Sequence, residues 1–376
     1  MRLFFSLSIV LFISCTNQDK NTDGLSFYSD GIIKVQIPEN VYYNSFLNQI
    51  SYKEDSIYLE RLRNKTGDKG IDMINLTSLK YSQSTIFPEE GNQGVGRMSS
   101  FYRKSNDTLL FTNEKEILIV IDDSIGKRMR LFENEDYYPT MIRNKSKSFF
   151  YNKEYYFSKL AFSHPSRNDF FDINTLLRTN IGGESIPSDL SDTKFSTKYF
   201  DKCWSYFDAD IYTTFNGENE VIFSFPIDED IIVYSLKEEK ILNKIPIKSR
   251  YDTKPLTSVN CGDIRSYDEN EYAYQKFYYA SIIYDKFREV YYRFNLLPIQ
   301  DYNPKKRYDV FDRKFTITVL DNEFNIIGES AVFEKHKFIF YDWFILEDGF
   351  YLSSNNPKNE TFNENELSYT IFKFKP

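Results

Sequence analysis

The stretch IIVYSLKEEKILNKIPI, residues 231–247, holds two apolar-rich runs around the polar turn SLKEEK. In the second run Ile241, Ile245 and Ile247 are set off by Asn243 and Lys244. Near-alternation over so short a length reads as a half-buried strand, and two such runs around turn-forming residues read as a β-hairpin. The pattern returns as IDMINLTSLKYSQSTIF (71–87), ILIVIDDSIGKRMRLF (117–132) and FTITVLDNEFNIIGESAVF (315–333).

Further strands lie just upstream of three of these hairpins: SIYLERL from Ser56, DTLLFTN from Asp107 and EVIFSFP from Glu220. The joints Asn113-Glu114-Lys115 and Asp228-Glu229-Asp230 are short, so the unit is an antiparallel meander of three or four strands. SFFYNKEYYFSKLAF (148–162) and ASIIYDKFREVYYRFNLLP (280–298) are further meanders, and the last strands come from GFYLSSN and ELSYTIFKFKP. Matching turn positions Asn75 and Asp122 are 47 residues apart. Units of about 45–60 residues fit radially repeated sheets around a channel, a β-propeller. A lone meander cannot bury its apolar face, whereas stacked blades bury both faces and leave short edges. Closure is expected to pair GIIKVQI (31–37) with SYTIFKF (368–374). The expected fold is a single all-β propeller of four-stranded antiparallel blades over residues 25–376, six or seven in number. A pair of β-sandwiches is the alternative, and Asn180–Cys203 is expected to be an insertion with room for a short helix.

The N-terminus gives an address. Arg2 precedes an apolar run from Leu3 to Ile13, then Ser14 and Cys15. The run is too short to span a bilayer, which takes about 20 residues, and has the length of a signal-peptide core. Leu-Phe-Ile-Ser-Cys resembles the lipobox of bacterial lipoproteins. That resemblance implies a signal peptide over residues 1–14, lipidation of Cys15, and membrane attachment through the lipid. Residues 15–24 read as a flexible tether. Thr16 rather than Asp after the cysteine implies the outer membrane, facing the periplasm or the cell surface.

Lipobox, tether, VYSLKEEK-type hairpins, YYRFNLLP and LDNEFNIIGES together resemble a Bacteroidetes lipoprotein family of unknown function, itself similar to TolB-like six-bladed β-propellers. The resemblance covers most of the chain and implies six blades and an envelope location. It carries over no catalytic residue.

Composition narrows the partners. Lys and Arg number 47 against 55 Asp and Glu, a formal net charge of −8. This argues against nucleic acid, whose binding rests on phosphate neutralisation. The 35 Phe and 30 Tyr fit a β-rich core better than a sugar-stacking surface, because most alternate with polar residues. Cys203 and Cys261 are equally compatible with a disulfide and with two buried thiols.

No cofactor or metal site is expected. Two histidines, His164 and His336, show no paired spacing and there is no CxxC. DADIYTTFNGENE (208–220) lacks an EF-hand register and reads as a solvated turn. GNQGVG (91–96) has no Lys-Ser/Thr ending and reads as an inter-blade loop. The densest candidate ligand site runs from His164 to Asp210: His164 and Arg167 in one loop, and Trp204, Asp208 and Asp210 in DKCWSYFDAD. Trp204 is either an anchor for a ligand or a core filler. The functional expectation is a lipid-anchored binding or scaffold module of the cell envelope, with a protein or glycan ligand. The alternative is a tethered hydrolase or lyase acting on glycans or lactones in the channel.

Overall fold

The computed structural model describes residues 26–39, 41, 47–65, 68–96, 98–132, 137–139, 146–161, 171–183, 186–200, 204–205, 208–252, 258 and 273–375. Six antiparallel sheets follow one another along the chain. Blade 6 is the exception to chain order, because its outermost strand is β1 (Ser26–Gln36). Blade 1 contains β2 (Asn48–Lys53), β3 (Ser56–Lys65), β4 (Asp68–Asn75) and β5 (Lys80–Phe87). Blade 2 contains β6 (Met98–Arg103), β7 (Thr108–Asn113), β8 (Glu116–Ile121) and β9 (Ser124–Arg130). In blade 3, β10 (Tyr137–Pro139) and β11 (Phe149–Tyr151) both pair with β12 (Glu154–Ala161), which is followed by β13 (Leu176–Thr179) and β14 (Ser188–Asp189). Blade 4 contains β15 (Tyr212–Phe215), β16 (Glu220–Ser224), β17 (Asp230–Ser235) and β18 (Lys240–Pro246). Blade 5 contains β19 (Tyr278–Asp285), β20 (Val290–Leu296), β21 (Phe315–Leu320) and β22 (Ile326–Glu329). Blade 6 is completed by β23 (Trp343–Leu346), β24 (Gly349–Ser353) and β25 (Glu366–Lys375).

The chain is therefore a six-bladed β-propeller. The expected closure is present: β1 lies antiparallel on β25, with Gly31 opposite Ile371 and Gln36 opposite Glu366. The first strand of each blade is innermost, as shown by the packing of β2 against β6 and β23 and of β15 against β19. Last strands such as β9 and β18 alternate exposed with half-buried residues, as an outer edge must. The expectation of four strands per blade needs one correction. Blade 3 splits its inner position between β10 and β11, which pair with opposite ends of β12. In the Asn180–Cys203 insertion the only helical element among the described residues is a single 3-10 turn, Thr197–Tyr199, capped by Ser196.

The core lies between blades rather than inside any one of them. Apolar clusters join blades 6 and 1 (Val35, Leu59, Phe344, Tyr369), 1 and 2 (Leu62, Ile71, Phe101, Phe111), 2 and 3 (Leu110, Ile117, Tyr155, Leu177), and 3 and 4 (Tyr156, Trp204, Phe223, Tyr234). One larger cluster runs through blades 4, 5 and 6 (Ile231, Tyr292, Phe294, Ile317, Phe350). The two faces of each strand serve different neighbours, as a period of two requires. On β3, Leu59 and Arg61 face blade 6, while Glu60 and Leu62 face blade 2.

Every interface also carries a cationic cross-link. Arg103 pairs with Glu60 (2.5 Å) between blades 2 and 1, Arg178 with Glu239 (2.5 Å) between 3 and 4, and Arg61 with Asp342 (2.9 Å) between 1 and 6. Lys127 donates to the carbonyls of Gly182 and Gly183 between blades 2 and 3. Arg288 donates to the carbonyls of Leu346 and Glu347 (2.9 Å each) between 5 and 6. Arg293 donates to the carbonyls of Asp228 and Glu229 (2.6 Å each) between 5 and 4.

Candidate functional site

All inner strands start at one face of the ring, here called the entry face. The connections between second and third strands of each blade reach the same face. In blades 4 to 6 these segments enclose an 80 Å³ hollow lined by Asp210, Tyr212, Tyr274, Tyr278, Tyr279 and Tyr341, with Arg313 beneath. Tyr212 and Tyr278 open β15 and β19, and Tyr341 lies two residues before β23.

Arg313 is structural within this hollow. It is buried, and its guanidinium donates to four carbonyls: Leu297 (3.1 Å), Ala273 (3.2 Å), Leu296 (3.1 Å) and Lys276. Burial lowers its pKa to about 10, opposed by Tyr278, Tyr274 and Tyr212, so it stays charged at neutral pH. Its role is to fix the 297–314 connection against residues 273–276. Tyr279 is held in the same way, with Arg293 stacked 3.8 Å from its ring centroid and its hydroxyl donating to Asp252 (2.9 Å). Asp210 accepts from the Tyr212 hydroxyl at 3.4 Å and is the acidic residue of the lining among the described residues. The result is a rigid aromatic cup with little polar surface.

The sequence candidates are distributed unevenly. Asp210 reaches this hollow. Asp208 is fully buried rather than part of a solvated turn: its Oδ2 accepts from the Ser205 amide (2.9 Å), and its charge supports Lys276. Trp204 is a core filler, 3% exposed, whose indole N–H donates to the Tyr199 carbonyl (3.1 Å). His164, Arg167, Cys203 and Cys261 lie outside the described residues, and so does Cys15. The acidic joint at Asp228 is also not a free turn. Asp228 is buried, pairs with Lys198 (2.5 Å) and accepts from Ser196. GNQGVG is an inter-blade loop as expected, its carbonyls at Asn92 and Gly94 taken by Arg128.

A second hollow of 80 Å³ opens on the inner strands of blades 1 to 3, lined by Asn48, Gln49, Ser100, Phe101, Tyr102, Lys147 and Ser148. Lys147 stands in the interruption between β10 and β11. Its amine crosses the axis: Nζ donates to Asn48 Oδ1 of blade 1 (3.3 Å) and sits 4.5 Å from the ring centroid of Trp343 in blade 6. Blade 3 is thus tied to the opposite side of the ring. The amine also feels Asp342, which is occupied by Arg61, Asn48 (3.2 Å) and Tyr369 (3.1 Å). Burial outweighs that attraction and lowers the lysine pKa to about 7. The sequence signal for both hollows was weak. It would have required knowing that residues at inner-strand starts converge, and only Asp210 had been singled out among them.

Among the described residues no group of three or more His, Cys, Asp or Glu could hold a metal ion, and no helix is long and apolar enough to cross a membrane.

Fold and site together define a six-bladed β-propeller with an aromatic hollow on its entry face. Residues 20–331 match the domain of unknown function DUF4221, and the chain belongs to that family. It is similar to a DUF4221 family member from Bacteroides vulgatus, with 17% identity, TM-score 0.83, and coverage of 94% of this chain and 99% of that one. It is also similar to a Bacteroides fragilis protein described as exported, with 11% identity, TM-score 0.51, and coverage of 95% and 98%. No curated protein matches the chain.

Proposed function

We propose that this protein is a lipid-anchored binding module of the cell envelope, whose tyrosine hollow receives a projecting group of a protein or glycan partner. The carrying observation is the cup of Tyr212, Tyr274, Tyr278, Tyr279 and Tyr341, held rigid by buried arginines. At 80 Å³ it is well below the roughly 300–1,000 Å³ of pockets that enclose whole small molecules. It suits one side chain or one sugar face of a larger partner, as interface anchors do.

Topology supports the presentation. β1 runs antiparallel to β25, so Ser26 starts at the face opposite the hollows. A lipid on Cys15 with a tether over residues 15–24 then turns the entry face away from the membrane. The described-as-exported relative favours this location. Replacing Cys15 with Ser should move the chain from the membrane fraction to the soluble fraction; a variant that stays membrane-bound contradicts the anchor.

The binding reading is tested by thermal unfolding against peptide and glycan libraries. A ligand at 100 times its Kd adds about 2.7 kcal/mol of stability. That gain should vanish in Tyr341→Ala and weaken in Asp210→Asn. A shift that both variants retain places the ligand elsewhere.

A further inference from the structure

We propose that Lys147 is the reactive amine of a second site, in the propeller channel, that captures a small aldehyde as an imine. Three observations carry this. First, Lys147 lines an 80 Å³ cavity, room for several waters or a compound of a few heavy atoms. Second, the amine is poorly matched to a permanent charge. An ammonium has three donors, yet among the described residues its one hydrogen-bond acceptor is Asn48 Oδ1, and no carboxylate reaches ion-pair distance. The Trp343 ring and the more distant Asp342, itself held by Arg61, Asn48 and Tyr369, are the groups favouring the charged form. Third, the cavity wall is polar beside the amine: Ser100 and Ser148 line it, with the buried hydroxyl of Tyr155 next to them. Burial keeps the Tyr155 phenol protonated, its pKa pushed up to about 12, so it remains a donor.

The chemistry balances without a cofactor. The neutral amine's lone pair attacks the carbonyl carbon, and a proton moves from nitrogen to the new alkoxide to give a carbinolamine. Loss of the second N–H proton and the hydroxyl as water leaves the C=N bond. Desolvated lysines are nucleophiles near neutral pH for this reason.

The test treats the full chain with glycolaldehyde and cyanoborohydride, which adds hydride to the imine carbon and fixes it as a secondary amine. Peptide mapping then compares lysines. At about pH 7 Lys147 should be alkylated at least about tenfold faster than exposed Lys34 or Lys240, since each unit of pKa changes the free-amine fraction about tenfold. Its rate should level off above about pH 8, whereas theirs climbs to about pH 10. Lys147→Met should abolish the fast phase. Lys147→Arg, which keeps a donor in the channel but has no nucleophilic amine, should abolish it whether or not it melts below wild type. Labelling of Lys147 no faster than Lys34 or Lys240 overturns the proposal, as does a fast phase that survives in Lys147→Arg.

Discussion

Blades 4 to 6 and blades 1 to 3 solve the same packing problem with different materials. In the first half the buried arginines Arg293 and Arg313 donate to backbone carbonyls. A single cluster runs through three blades, and its contacts are ring on ring, such as Phe294 with Phe315 (5.6 Å) and Tyr292 with Phe350 (5.1 Å). The second half is divided into smaller clusters with ionised groups between them: Arg61–Asp342, Glu60–Arg103 and Arg63–Asp72, all nearly inaccessible to solvent. The hollows follow their surroundings. The half with one continuous aromatic cluster builds a tyrosine cup, and the half divided by side-chain ion pairs builds a polar cavity around an amine. A propeller thus tolerates different interface chemistry around one ring, provided its buried charges are paired or hydrogen-bonded.

The strongest way to separate the halves is to break one contact in each. Phe294→Ala should cost about 3–5 kcal/mol and stay insensitive to salt and pH. Arg61→Ala should cost a similar ~3–5 kcal/mol, because it strands the buried carboxylate of Asp342. The discriminating variant is Arg61→Met with Asp342→Leu. Removing both charges should recover most of the loss, as measured by denaturant midpoints. If the double replacement is as costly as Arg61→Ala, packing rather than charge holds the interface of blades 1 and 6.

The next effect is pH dependence. Burial lowers the pKa of Lys147 to about 7 and of Lys276 to about 8. Between those values and about 10 the unfolded chain binds protons that the folded chain does not. Stability should therefore rise with pH across this window, by at most about 1.4 kcal/mol per pH unit for each lysine. Above about pH 10 buried tyrosines such as Tyr155, whose pKa is raised, reverse the slope. Lys147→Met should flatten the rise from about pH 7 upward, and chemical unfolding in buffers of graded pH measures it.

The smaller effects lie at the rim. Leu79 holds φ 54° in the β4–β5 turn and is 40% exposed, a left-handed position that suits glycine. Leu79→Gly should raise stability by about 0.5–1 kcal/mol, and a fall in melting temperature would show that its side chain matters more than its backbone. Arg178 and Glu239 are 32% and 42% exposed, so Arg178→Ala should cost about 0.2–1 kcal/mol despite the 2.5 Å pair.

What the sequence revealed follows from the range of each signal. Hairpins such as 231–247 and the closure of 31–37 on 368–374 rest on local alternation, and both appear in the structure. Turn chemistry was partly hidden. Leu79, Glu239 and Glu289 occupy left-handed positions where glycine would have marked the bend. Buried charge was hidden more deeply. Nothing in SIYLERL marks Glu60 and Arg61 as buried, yet both faces of β3 are covered by neighbouring blades. Lys147 and the tyrosine cup depend on which residues meet across the axis, and local pattern does not encode that. Asp210 was a candidate because it sits beside other chemistry-bearing residues and it lines the hollow, whereas Trp204, either anchor or core filler by residue type, packs in the core.

The most direct test of two chemically distinct sites is one thermal-unfolding screen run on three proteins: wild type, Tyr341→Ala and Lys147→Met. The library combines peptides, glycans and small aldehydes. The account predicts two separate ligand sets, one whose shifts disappear with Tyr341→Ala alone and one, the aldehydes, whose shifts disappear with Lys147→Met alone. Ligands that lose their shifts in both variants would contradict it, since they would mark a single site spanning the channel.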